Sequence, residues 1–310
     1  MENIIIVPSV AGMEWFDDIY PGRSVAELPV AGRRGIDYAL ECARRFDVAC
    51  VEVLDWRFSS RLASDFSGPT NIGRPVHYIG REGPLPRSLD DLFGQGTPLT
   101  QDIKDGLVVV WGPCLSGHSS GEVRLEPITD AECADTPPSC YRREGGRWMR
   151  VVPHAFAVKS PRSWLKLNLA VLNAPDVFTL PGYSADKGVH LGRNVVMEYG
   201  TKVTGPALLN DDCWCARNVE IDRDVIMGSG SFVGEGTHLS RTVVCDDTYV
   251  GAGLDLTDKI VVGHRIIDAV SGAWTDVEEQ GLVRSIDDFH WNPFKKLWKF
   301  LQGASRGRRS

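Results

Sequence analysis

From Val189 to Thr248 the polar and apolar positions repeat every six residues: VHLGRN, VVMEYG, TKVTGP, ALLNDD, CWCARN, VEIDRD, VIMGSG, SFVGEG, THLSRT, VVCDDT. The third position of every unit is apolar (Leu191, Met197, Val203, Leu209, Cys215, Ile221, Met227, Val233, Leu239, Cys245), and the next position is small or polar. A period of six cannot hold a steady stripe on an α-helix. It suits a chain that runs a short strand, turns, and stacks each coil on the last. The first half has a different rhythm. Ile4–Val7 and residues 49–55, 76–80 and 106–112 are β-rich runs, whereas residues 35–46 carry Ile36, Leu40 and Ala43 at helical spacing and residues 87–93 read as a further helix. Strands alternating with helices predict a mostly parallel sheet covered on both faces, with ligands at the carboxyl ends of its strands.

The hexads resemble the left-handed β-helix of hexapeptide-repeat proteins, which implies three units per coil. Ten units then give a little over three coils, a column about 15 Å tall at ~4.8 Å per rung. In this register Cys213 and Cys215 lean inward, as small hydrophobes suited to a tight core. No second ligand pair at zinc spacing accompanies them. Such columns can house acyl transfer, with a histidine as general base. His190 and His238 both take the outward second position, but they lie eight units apart and so on different faces.

The order of segments resembles the sugar-nucleotide pyrophosphorylase (nucleotidyltransferase) family with a hexapeptide-repeat tail. The similarity lies in SVAG (9–12), ELPVAGRRGIDYALE (27–41), VVVWG (108–112), FAVKSPRSWLKLNLAVL (156–172) and DLTDKIVVGHRIID (255–268). It implies an α/β fold: a Rossmann-like nucleotidyltransferase-type domain over residues 1–175 and a left-handed β-helix over 186–268; the basic amphipathic tail over 285–310 is read from its own residues. It also implies a glycine-rich loop ending in arginine, a lysine before the Leu-Pro pair, and two aspartates holding Mg²⁺. Nucleotidyl transfer brings several phosphates together, so it needs cations and oxygen-ligated Mg²⁺. Here Met13, Glu14, Trp15 and Phe16 follow Gly12, and the lysine corresponds to Ala26. The two aspartates correspond to Pro113 and Ala157.

The expectation is therefore a pseudoenzyme without cofactor, acting in sugar-nucleotide or cell-surface polysaccharide metabolism as a sugar-nucleotide-binding or assembly subunit. Gly12, Arg23, Arg33 and Gly112 are the candidate ligand contacts. The alternatives are an active transferase with an atypical Mg²⁺ site, for which Asp17, Asp18 and Asp55 come first, or an acyltransferase. Trp214, Tyr199 and Phe232 at outward positions predict self-association through the column.

The net charge of −7 argues against a general nucleic-acid binder. The start, MENIIIVPSV, lacks the basic segment of a signal peptide, and eight cysteines then suggest reduced thiols in a cytoplasm. In the tail, Asn292 and Pro293 suit a helix start and Gly303 a stop. Between them Phe294, Leu297, Trp298 and Leu301 form one apolar stripe beside Lys295, Lys296 and Lys299. This basic amphipathic helix is expected to dock on the chain's own acidic body, on an enzyme partner, or on an anionic membrane's inner face.

Overall fold

The computed structural model describes residues 2–43, 48–68, 73–94, 105–113, 124–129, 131, 135–152, 157–279 and 281–288. The chain is mixed α/β, with many parallel strands and few helices. In its first half lie β1 (Glu2–Val7), α1 (Glu14–Ile19), α2 (Gly35–Ala43), β2 (Val48–Asp55), α3 (Ser60–Asp65), β3 (Val76–Gly80) and α4 (Leu89–Gly94). Then come β4 (Val108–Trp111), β5 (Arg124–Pro127), β6 (Ser139–Glu144), β7 (Arg147–Val152) and α5 (Pro161–Leu172). One sheet of seven strands runs β3-β2-β1-β4-β6-β7-β5.

The first four strands are parallel, but β6, β7 and β5 extend the sheet antiparallel. The sheet is thus mixed rather than mostly parallel. The β6–β7 turn is Gly145-Gly146, both at positive φ, the two-residue turn that fits the strand twist. Strand β4, VVVW, is buried throughout, without alternation, because both faces of the sheet are covered. On one face Ile4, Ile6, Val51, Val53 and Val108 pack against Ile36, Ala39 and Leu40 of α2. On the other face Ile5, Val7, Leu54, Val109 and Trp111 enter a second core.

From Val189 the strands stack into a β-helix-like column of three parallel sheets. The strands at 189–191, 207–209, 225–227, 243–244 and 259–262 form one face; those at 196–197, 214–215, 232–233 and 248–250 form the second, and those at 202–203, 220–221, 238–240 and 255–257 the third. Register sets which side chains stack. Leu209 pairs with Met227 eighteen residues on, whereas Met227 pairs with Val244 only seventeen on. One residue is missing from the corner after Ser240, and the same shortening recurs before Val261. One correction follows: Val244, not Cys245, takes the inward position; the stacking runs on past Thr248 through Val250, Leu256 and Val261, inside the expected span of 186–268. Cys245 points out of the column, into the core shared with the first half.

Inside the prism Leu209, Cys213, Cys215, Ile221, Met227, Val233 and Leu239 are buried. The first coil has no coil beneath it, so Met197 at the same repeat position remains 45% exposed. The second positions differ by face. Leu208, Ile226, Val243 and Ile260 of the first face share one core with Met13, Phe16, Trp164 and Leu169, and so join the column to the first half. On the third face Lys202 pairs with Glu220 at 2.8 Å, and His238 with Asp255 at 3.1 Å. On the second face Trp214, Phe232 and Tyr249 stack, the last two rings at 5.2 Å and 10°. The hairpin of Pro29–Val30 and Arg33–Arg34 abuts the column, where a Cβ on Gly32 (φ +74°) would overlap the Asn210 amide.

Depth within the column therefore sets the cost of truncation at one repeat position. Leu209→Ala is expected to lower unfolding stability by about 2–5 kcal/mol. Met197→Ala should cost less than about 1 kcal/mol. Urea denaturation midpoints of the two variants check the contrast.

Candidate functional site

The carboxyl ends of β1, β2 and β4 meet at the loops 8–13, 55–59 and 112–113, the place where parallel sheets hold ligands. A fully buried acidic side chain, Asp55, stands there at the end of β2. Its Oδ1 accepts from the Ser9 hydroxyl at 2.8 Å and from the Arg57 backbone N–H at 3.0 Å. Its Oδ2 accepts from the Ser24 hydroxyl and from the Tyr78 hydroxyl at 2.9 Å. Four donors thus occupy both oxygens and tie four separate chain segments together. Burial, together with the Asp55 charge, pushes the Tyr78 phenol well above its ordinary value.

The stretch after Gly12 is a plug rather than an open anion-binding loop. Gly12 (φ +85°) gives its backbone N–H to Glu14 Oε1 at 3.2 Å, so a carboxylate already occupies that donor. Met13 and Phe16 are buried, and Trp15 packs on Trp164 with centroids 6.0 Å apart. Arg57 clamps Asp17 through two hydrogen bonds. Asp18 is exposed, and its carbonyl accepts from Arg265. Arg23 lies over the Tyr20 ring at 5.2 Å. Arg33 is bound to Glu41 at 2.9 Å and to the Thr179 carbonyl at 3.2 Å, and lies over Tyr38. Gly112 (φ +71°) is a packed turn, where a Cβ would press on Pro138 at 2.9 Å. Each of the four candidate ligand contacts thus already has a partner or a packing role within the chain.

The cavity near these strand ends is apolar. It opens to solvent, and Ile6, Pro8, Ala26, Leu28, Gly112 and Pro113 are among its lining. Ala26 and Pro113 stand where the resemblance implies lysine and a metal aspartate. The other implied aspartate position, Ala157, follows a stretch outside the described residues, and Val158 N–H donates to the Pro113 carbonyl at 3.0 Å. Of the carboxylates named for an atypical Mg²⁺ site, Asp55 is saturated, Asp17 is clamped by Arg57 and Asp18 is exposed, while the cavity wall offers aliphatic carbon. Sequence reasoning missed Leu28, Ile36 and Leu167 as cavity lining, because each reads as ordinary core.

Elsewhere, His190 lies on the face that joins the halves and His238 on the charged face, so the two remain apart. Burial lowers the His190 pKa. Burial also pushes the Cys213 and Cys245 thiols up to about 12 and raises Cys215, keeping all three in the neutral thiol form. Phe294, Lys295, Lys296, Leu297, Trp298, Lys299 and Leu301, with the rest of the expected tail helix, lie outside the described residues. Among those described, no helix is long and apolar enough to cross a membrane.

Comparison with known proteins gives no identification: no protein-family model matches the chain, and no curated protein matches it.

The Asp55 knot makes a double prediction. Asp55→Asn removes the charge and replaces one accepting oxygen by an NH₂ donor, so at least two buried donors lose their partner; the expected loss is about 2–4 kcal/mol. In the wild type, Tyr78 has a folded pKa above its unfolded value of ~10. Its contribution to stability is therefore intact below pH ~10 and declines as pH rises towards the folded value. Urea midpoints measured between neutral pH and pH 11 check both.

Proposed function

We propose that this chain is a nucleotidyltransferase-like protein that has lost transfer chemistry and works as an assembly subunit in sugar-nucleotide or cell-surface polysaccharide metabolism. In this reading the first half is the Rossmann-like transferase domain and the column is a left-handed β-helix. The observation that carries it is the cavity wall: Ala26, Gly112 and Pro113, at three positions of the family pattern, line one apolar pocket. A triphosphate and a sugar phosphate bring several negative charges, which need cations and oriented N–H groups. The Gly12 N–H is taken by Glu14, and Arg33 is held by Glu41. A sugar nucleotide would meet carbon where its phosphates need charge, so the assembly role is favoured over the binding role.

The column supports that role. One face is spent on joining the halves, leaving an aromatic face and a charged face. Tyr199, 89% exposed, and Met197 lie near the open first coil. Large side chains of this kind favour contact with a second copy or a partner enzyme.

Two measurements test the reading. Purified protein with Mg²⁺ should release no pyrophosphate from any pairing of nucleoside triphosphate and sugar 1-phosphate. Steady turnover abolished by a chelator would overturn the loss of chemistry. Light scattering at micromolar concentration should give a mass above that of one chain, and Tyr199→Asp should lower it. A monomer mass for the unaltered protein counts against assembly through the column.

A further inference from the structure

A second group of chemistry-bearing side chains lies away from the apolar cavity, on β2 and β3. Cys50 and Glu52 are two residues apart on β2 and therefore share one face of the sheet. His77 on β3 is the direct register partner of Glu52, whose other neighbour across the sheet is Ile5 of β1. The Cys50 thiol, a Glu52 carboxylate oxygen and a His77 ring nitrogen all lie within 4.8 Å of one another. Cys50 and Glu52 are half-buried, while His77 is exposed, so the cluster is reachable from solvent.

One atom in it has no structural explanation. Glu52 Oε2 is buried and accepts no hydrogen bond among the described residues. An unpaired carboxylate oxygen out of water carries a desolvation penalty, and burial accordingly raises the Glu52 pKa, with His77 acting the other way. A cation held between the three side chains removes that penalty.

We infer that Cys50, Glu52 and His77 form a Zn²⁺ site. The donor set is one thiolate, one imidazole and one carboxylate, the mixture that selects zinc over the oxygen-seeking Mg²⁺ and Ca²⁺. Around tetrahedral zinc, bonds of ~2.0–2.3 Å put neighbouring donors about 3.3–3.6 Å apart. Because the three atoms lie within 4.8 Å of one another, no pair needs to close by more than about 1.5 Å, within the range of side-chain rotations. On binding, the Cys50 thiol loses its proton to solvent. Thiolate and carboxylate then balance the two positive charges, leaving a neutral centre at a half-buried place. Three protein ligands leave the fourth position for water or an incoming group. The site does not depend on the reading of the apolar cavity.

The test uses the full chain, stripped with a chelator and desalted. Co²⁺ serves as the spectroscopic substitute for Zn²⁺. One equivalent should produce thiolate-to-cobalt charge-transfer absorption with visible bands of tetrahedral intensity, and an equivalent of Zn²⁺ should abolish both. In the unaltered protein, Zn²⁺ should slow alkylation of Cys50, followed by peptide mass, at least tenfold. Glu52→Gln and His77→Gln should each weaken Co²⁺ binding tenfold or more. The alkylation rate decides the matter even if a variant fails to fold. Absence of the charge-transfer band, or metal uptake with Cys50 alkylated at its metal-free rate, overturns the assignment.

Discussion

Everything in the second half depends on like side chains falling on like side chains from one coil to the next. Because the strands pair in register over seventeen or eighteen residues, the second position of each strand is repeated up one face of the prism. From Leu208 onward each face thus acquires a dominant chemical character. One is aliphatic through Leu208, Ile226, Val243 and Ile260, one is aromatic through Trp214, Phe232 and Tyr249, and one is charged through Lys202, Glu220, His238 and Asp255. Fully burying an aliphatic side chain is worth about 1.5–3 kcal/mol, so the first face has every reason to find a cover. The first half supplies it, with Met13, Phe16 and α5.

The column was legible because its inward positions are apolar without exception over ten units, a signal too regular for any other period. The shortening after Ser240 was not, because Val244 and Cys245 are both small and apolar and either satisfies the pattern. Only pairing with Met227 separates them. In the same way Leu208 and Ile226, eighteen residues apart, announce an apolar outer face, but what they meet lies in α5 and α1, far away in the chain. The antiparallel end of the first sheet had a readable signal in Gly145-Gly146.

At the strand ends, sequence showed what the positions are not: Ala26 and Pro113 carry no charge. It did not show what Asp55 is. A carboxylate closing a strand invites a metal, yet its four donors come from residues 9, 24, 57 and 78, and no local pattern links them. The cluster of Cys50, Glu52 and His77 sits between these cases. The alternation of Cys50 and Glu52 is visible in the strand, while the arrival of His77 beside Glu52 is fixed by the register of β3.

The shared core also bears on the order of events during synthesis. Residues 1–175 leave the ribosome before the strands carrying Leu208, Ile226, Val243 and Ile260 exist. Until those strands emerge, the core that Met13, Phe16 and Trp164 share with them lacks part of its wall. The column, by contrast, adds one coil at a time onto a rung already formed. The part made later is therefore the one that closes the part made earlier.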